Sequence, residues 1–201
     1  TGESSPVTVV LDTEAPDLTI TNPVDGEKTN RETVTVEGTI ADEHLEAVTV
    51  NGQAAAIVDG KFSKRILLDN GTNVIEVKAV DAAGNEVSET VTVTAQFTAP
   101  AIENLTPSED VHLTTGRSVK IEFDSAPGLK ASFTIHMPLT NVSNATELPM
   151  MEQGDGHYVG YWTVPYGTTA NGAMIEAKVV DSFKNETRKA AAGKLYINIE
   201  D

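Results

Sequence analysis

The sequence predicts an all-β protein made of two tandem antiparallel β-sandwiches. Three observations carry that class. Short runs of alternating apolar and polar residues are separated by turn signals, no long stretch has helical periodicity, and one twelve-residue stretch occurs twice. Its copies, Ile75-Glu-Val-Lys-Ala-Val-Asp-Ala-Ala-Gly-Asn-Glu86 and Ile175-Glu-Ala-Lys-Val-Val-Asp-Ser-Phe-Lys-Asn-Glu186, lie 100 positions apart and agree at seven of twelve residues. Each is an alternating strand that runs into a turn opening with Asp and closing with Asn-Glu. A repeat of this length divides the 201 residues into two modules of ordinary domain size. Apolar residues make up 39% of the chain, with five Phe, four Tyr and one Trp, which suits thin two-layer cores better than a deep pocket.

A second internal match sets the boundaries. Residues 4–16 end Val-Thr-Val-Val-Leu-Asp-Thr-Glu-Ala-Pro, and residues 88–100 read Ser-Glu-Thr-Val-Thr-Val-Thr-Ala-Gln-Phe-Thr-Ala-Pro. At 88–100 the pattern is the last strand of a module followed by an Ala-Pro linker. Residues 1–13 therefore read as the last strand of a preceding module, with Val7 and Val9 on its apolar face. Residues 14–97 form the first complete module and 98–201 the second. The start at Thr1-Gly-Glu reads as a cut from a longer polypeptide. Proline at each linker fixes φ and restricts its predecessor, which limits hinge freedom.

In the first module Leu18 and Ile20 alternate with Thr, and Pro23-Val-Asp-Gly26 turns the chain. Thr33 to Ile40 puts Val34, Val36 and Ile40 on one face, the period of a half-buried strand. Ala47 to Val50 leads into Asn51-Gly52, a strong hairpin signal. Ala54 to Val58 is expected to pair back before Asp59-Gly60 turns the chain into the strand 61–68. Asn70-Gly71 leads into the repeated strand, and Asp81 to Asn85 turns it into 87–95. About seven strands result, as an antiparallel sandwich requires. In the second module Ile102 and Leu105 mark the first strand, and 107–117 is polar connection. Val119, Ile121 and Phe123 face inward, as do Phe133, Ile135 and Met137 on the next strand. Residues 138–156, with Asn141 and Asn144, carry no regular pattern. Tyr158, Gly160, Trp162 and Val164 share the inner face of one strand, the repeat follows, and Leu195, Ile197 and Ile199 close the module.

Charge and cysteine usage exclude several classes. The net charge is −16, from 30 acidic and 14 basic residues, so the chain repels phosphate backbones and nucleic acid is not its partner. No cysteine is present, which removes disulfides and thiol chemistry and favours a bacterial over a eukaryotic secreted module. No apolar run reaches the roughly 18–20 residues of a membrane span, so membrane insertion is not expected.

The order of features in residues 14–95 resembles a known family. Val-Thr-Val50-Asn-Gly52 is followed by Asn70-Gly-Thr-Asn-Val-Ile-Glu-Val-Lys-Ala-Val-Asp81-Ala-Ala-Gly-Asn85 and the final Thr90-Val-Thr-Val-Thr94. This is similar to the bacterial immunoglobulin-like modules of the glucodextranase domain B type. Residues 98–201 resemble a diverged relative in which Lys184 replaces Gly84. The tandem resembles the accessory region of large secreted subtilisin-like serine proteases. That resemblance implies two immunoglobulin-like β-sandwiches from a secreted or cell-surface protein of a Gram-positive bacterium. It implies a monomeric spacer whose partners are adjacent modules and the catalytic domain of the same polypeptide. The alternative is an adhesion module that binds cell-wall glycan or a protein substrate.

No residue pattern points to catalysis within the chain. The serines lack Gly-x-Ser-x-Gly and a paired base, and the acidic residues do not converge on an aromatic cleft. His44, His112, His136 and His157 lack metal-ligand spacing, with His136 and His157 on outward strand positions. The pairs Asp81/Asn85 and Asp181/Asn185 have two readings, a backbone-clasping turn or part of a calcium site. Calcium fits better at the first linker, where Asp12, Glu14 and Asp17 cluster. Tyr161 and Tyr166 are the candidates for a platform that stacks on sugar or peptide, while Tyr158 and Trp162 belong to the core.

Overall fold

The computed structural model describes residues 11–138 and 145–199, and among them every regular element is a strand. Val7, Val9, Asn141 and Asn144 lie outside the described residues. The chain divides between Phe97 and Thr98 into two compact units.

Among the described residues the first unit has nine strands: β1 (Asp17–Asn22), β2 (Glu27–Thr29), β3 (Thr33–Ala41), β4 (Leu45–Val50), β5 (Gln53–Ala54), β6 (Ala56–Val58), β7 (Lys61–Leu67), β8 (Gly71–Asp81) and β9 (Glu86–Ala95). They form a four-stranded sheet in the order β1-β3-β7-β6 and a five-stranded sheet in the order β2-β9-β8-β4-β5. The second unit repeats this with β10 (Glu103–Thr106), β11 (Val111–Leu113), β12 (Ser118–Asp124), β13 (Lys130–His136), β14 (Glu147–Pro149), β15 (Met151–Glu152), β16 (His157–Thr163), β17 (Ala170–Val180) and β18 (Glu186–Ile197). Its sheets run β10-β12-β16-β15 and β11-β18-β17-β13-β14, the same topology strand for strand. Two facing sheets joined in this order make an immunoglobulin-like sandwich.

Period-two burial builds both cores. Val36 and Ile40 on β3 and Ile75, Val77 and Ala79 on β8 are buried, while their strand neighbours face solvent or lie half-covered. Ile121 and Phe123 on β12 and Ile175, Ala177 and Val179 on β17 do the same in the second unit. Tyr158 is buried against Phe123, with ring centroids 5.3 Å apart. Its hydroxyl donates to Ala126 O at 2.8 Å and accepts from Leu129 N–H at 2.9 Å, so this core ring also holds the 124–129 loop.

The structure corrects four expectations. Ala54 to Val58 does not return as one strand. Gln53 and Ala54 pair with β4, whereas Ala56 to Val58 pair with β7 in the other sheet. The Asp59-Gly60 hairpin pulls β6 across, and Ala55 N–H, donating to Val48 O, marks the crossing. Residues 138–156 hold β14 and β15, which split in the same way around Met150, whose N–H donates to Ala131 O. The stretch 107–117 contains β11, which buries Leu113 and pairs parallel with β18, as β2 pairs parallel with β9. Ile199 lies beyond the end of β18, after Asn198 at φ 50°. Strands of two or three residues are too short for alternation to show.

Each core seats one phenylalanine against a strand glycine. A Cβ on Gly38 would lie 2.0 Å from Thr19 O and 2.5 Å from the Phe62 ring, and one on Gly160 would lie 2.8 Å from the Phe133 ring. Gly38→Ala is therefore expected to cost about 1–3 kcal/mol by overpacking. Phe62→Ala should cost about 3–5 kcal/mol by leaving a cavity. Chemical denaturation followed by circular dichroism checks both.

Candidate functional site

The repeated turn closes on a carboxylate in both units. Asp81 is fully buried at the end of β8; its Oδ1 accepts the N–H groups of Ala83 and Asn85, each at 2.8 Å, and its Oδ2 accepts the Asn85 side-chain amide at 2.8 Å. Asp181 makes the same three bonds, to the N–H groups of Phe183 and Asn185 and to the Asn185 amide, again at 2.8 Å. Short Asx-type bonds of this kind are how Asp stabilises a turn. In the first unit Asn85 also donates to Asp12 O at 3.2 Å, which ties the segment before β1 to the β8–β9 turn. Both carboxylates are thus engaged in holding the chain reversal. The repeated Lys and final Glu have a joint role as well: Lys78 pairs with Glu86 at 2.7 Å, and Lys178 lies 3.8 Å from Glu186 and 3.2 Å from Glu147.

Burial pushes the Asp81 carboxyl up, but the Asn85 amide and the N–H groups of Asn85, Ala83 and Gly84 outweigh it and hold the group below its ordinary value. A depressed carboxylate contributes stability that is present above the unfolded value, about 3.9, and is lost as pH falls through the folded one.

The outer face of the β10-β12-β16-β15 sheet carries a polar cluster that strand alternation placed but did not connect. His157 Nδ1 lies 2.7 Å from Asp124 Oδ1, and its Nε2 lies 3.1 Å from Glu122 Oε2. Lys120 Nζ reaches the same Glu122 oxygen at 2.6 Å, and the Asn104 amide donates to Asp124 Oδ2 at 2.8 Å. His157 lies 33 and 35 positions from Asp124 and Glu122 in sequence, and the β12–β16 register, Asp124 opposite His157, brings it to them, while Asn104 arrives on β10. The carboxylates sit on opposite sides of the ring and do not converge on a point. The other histidines are less engaged. His44 lies 3.6 Å from Asp12, His112 stacks on Tyr196, and His136 Nε2 lies 3.6 Å from Glu176 with no hydrogen bond.

Asp12, Glu14 and Asp17 line one open concavity of the first unit, together with Asp42, Glu43 and His44. Asp12 Oδ1 accepts the Glu14 N–H at 3.1 Å, and Asp42 Oδ1 accepts the His44 N–H at 2.6 Å. Among the described residues no group of three or more His, Asp or Glu side chains is arranged to hold a metal ion. Tyr161 is 63% exposed on the outer face of β16, and Tyr166 is 96% exposed in the turn after it. Trp162 is partly buried and packs against the core of its unit, to which the buried Tyr158 belongs. No helix is long and apolar enough to cross a membrane among the described residues.

Two comparisons bear on this arrangement. Residues 16–97 match the family described as glucodextranase, domain B. The whole chain is 51% identical, over 205 aligned positions, to bacillopeptidase F of Bacillus subtilis (strain 168), and it spans 14% of that protein's length. Among solved structures, an I-band fragment of titin aligns with a TM-score of 0.60 at 10% identity, covering 92% of this chain and 66% of that one. The fibronectin(III)-like modules of Clostridium thermocellum CbhA align with a TM-score of 0.46 at 14% identity, over 90% of this chain and 94% of theirs. The titin likeness bears on the fold alone, and it is the immunoglobulin-like sandwich described above.

Two predictions test the turn. Acidification from about pH 5 to pH 2 should destabilise the first unit in part through Asp81, and Asp81→Asn should lower stability at pH 7 while flattening that dependence. Amide hydrogen exchange in β8 and β9 resolves the two effects. Gly84 sits at φ 88° and its counterpart Lys184 at φ 67°. Lys184→Gly is expected to stabilise the second unit by about 0.5–1 kcal/mol, and Gly84→Lys to destabilise the first by about 1–2 kcal/mol. Urea unfolding of each variant checks the opposite signs.

Proposed function

Since residues 16–97 belong to the glucodextranase domain B family and the full chain is related to a segment of a bacterial peptidase, we propose that the two modules are a non-catalytic accessory segment of a secreted subtilisin-like serine peptidase. They hold its catalytic domain in position relative to the cell wall or to a protein substrate. The observation that carries this reading is the identity of 51% running through both modules while covering only 14% of the larger protein. The architecture agrees with it. The cores are thin, both carboxylates of the repeat are used in turns, and among the described residues the serines and acidic residues supply no base-activated nucleophile.

The test uses the parent peptidase. Deleting residues 16–199 from it should leave cleavage of a short peptide substrate within about twofold, because no transition-state contact is lost. Digestion of large or wall-associated protein, or the amount of secreted enzyme, should fall. An equal loss on short and large substrates would show that the modules take part in the active site and would sink the proposal. The 201-residue chain on its own should not hydrolyse casein.

A second reading rests on the exposure of Tyr161 and Tyr166. As an aromatic platform they would retain the chain on cell wall or insoluble glycan, each ring contributing about 1–2 kcal/mol of stacking and burial. A pull-down with Tyr161→Ala and Tyr166→Ala decides the matter: retention that drops in the variants supports it, and retention unchanged by them removes it.

A further inference from the structure

The His157 cluster is built for one protonation state. A carboxylate oxygen can only accept a hydrogen bond, and a neutral imidazole has only one N–H to donate. Both ring nitrogens of His157 nonetheless lie within hydrogen-bonding distance of a carboxylate, 2.7 Å to Asp124 and 3.1 Å to Glu122. Only the imidazolium satisfies both; a neutral ring would turn a lone pair toward one of the two anions. The cluster is laced into the surrounding backbone. Asp124 is also held by Asn104 of β10, and Ser125 N–H donates to Gly156 O at 2.8 Å, next to His157. Glu152 accepts from the N–H groups of Gly156 at 2.8 Å and Gly128 at 3.1 Å, which joins the turn before β16 to the 124–129 loop.

We propose that His157 is a protonation-dependent clasp that ties β16 to β12 and, through Asp124 and Asn104, to β10, and that its deprotonation loosens this edge of the second module as the medium turns alkaline. The charged groups around it agree in sign. On β12 stand Asp124, Glu122 and Lys120, the last neutralising part of Glu122. On β10, Glu103 lies opposite Asp124 in the ladder. Glu152 ends β15, Asp155 lies in the turn before β16, and Tyr161 of β16 lies across from Lys120. The surroundings are therefore mainly anionic and favour the cation. Asp124 is the main cause of a raised His157 value, opposed by burial and reinforced by Glu122. A raised histidine contributes stability that is fully present below its unfolded value, about 6.5, and is lost as pH rises through the folded one.

The experiment uses the whole 201-residue chain, whose only tryptophan, Trp162, lies in the second unit and reports on it alone. Nitrogen-15 chemical shifts of the His157 ring at about pH 7 should show both nitrogens protonated, with an inflection above the ordinary histidine value of about 6.5. A single-proton tautomer at that pH, or an inflection at or below about 6.5, overturns the proposal. Urea midpoints from Trp162 fluorescence should fall between about pH 6 and pH 9, and His157→Gln should remove most of that fall while lowering the midpoint at pH 6. Parallel pH profiles for the wild type and the variant would also overturn it. Asp124→Asn, which keeps the shape of the partner, should bring the His157 inflection down; no change would count against the clasp. The ring-shift measurement needs no variant and decides the matter even if His157→Gln does not fold.

Discussion

A chain that crosses from its eighth strand to its ninth must reverse direction within four residues while its backbone groups are half-withdrawn from water. In both units a single carboxylate meets that demand. Asp81 and Asp181 each accept two backbone N–H groups and one amide of the Asn four residues on, which gives the reversal a fixed geometry. Everything downstream inherits its register. The β8–β9 ladder runs in step from Val80 opposite Glu86 to Gly71 opposite Ala95, and it is the spine on which β2 and β4 assemble. A buried carboxylate would be costly if left unpaired, and here its hydrogen bonds remove that cost. The same recurrence that suggested a ligand site is therefore the mark of a turn that the fold makes twice.

With the reversal set, the sandwich follows from alternation. Ile75, Val77 and Ala79 share a core with Val36, Phe62 and Ile66 of the facing sheet, and the second unit repeats the arrangement with Ile175, Ala177 and Val179 on one sheet and Ile121, Phe123 and Tyr158 on the other. The cores are thin enough that single glycines matter, because Phe62 and Phe133 occupy the room where Gly38 and Gly160 would carry a Cβ. Such a molecule stores its stability in two-layer packing. Its chemistry is confined to the outer faces, where the ion pairs of the repeat and the His157 cluster lie.

Much of this was legible in the residues. Alternation identified the long strands, Asn51-Gly52 the hairpin, and the seven shared residues of the repeat the duplication. It also put Tyr158 and Trp162 inward and Tyr161 outward, where they are found. The short strands escaped notice because Gln53–Ala54, Ala56–Val58 and Met151–Glu152 offer only two or three residues each, fewer than one period of evidence for a face. Their identity depends on which sheet edge has unpaired N–H and C=O groups at that point, a property of the folded neighbours and not of the segment.

The amino-acid order by itself determined the class of fold, the duplication and the place of the repeated turn. Each of these rests on interactions between residues close in sequence: period-two burial, two-residue hairpins, and an Asp that bonds the backbone two and four positions ahead. Only the tertiary structure decided which sheet the short edge strands join and that β2 and β11 run parallel to the last strands. It alone showed that His157 stands between Asp124 and Glu122. His157 lies 33 positions from Asp124 and 35 from Glu122, and their meeting depends on the register of β12 against β16. A shift of that register by one residue would turn the histidine to the other face, and no local pattern in the chain encodes it.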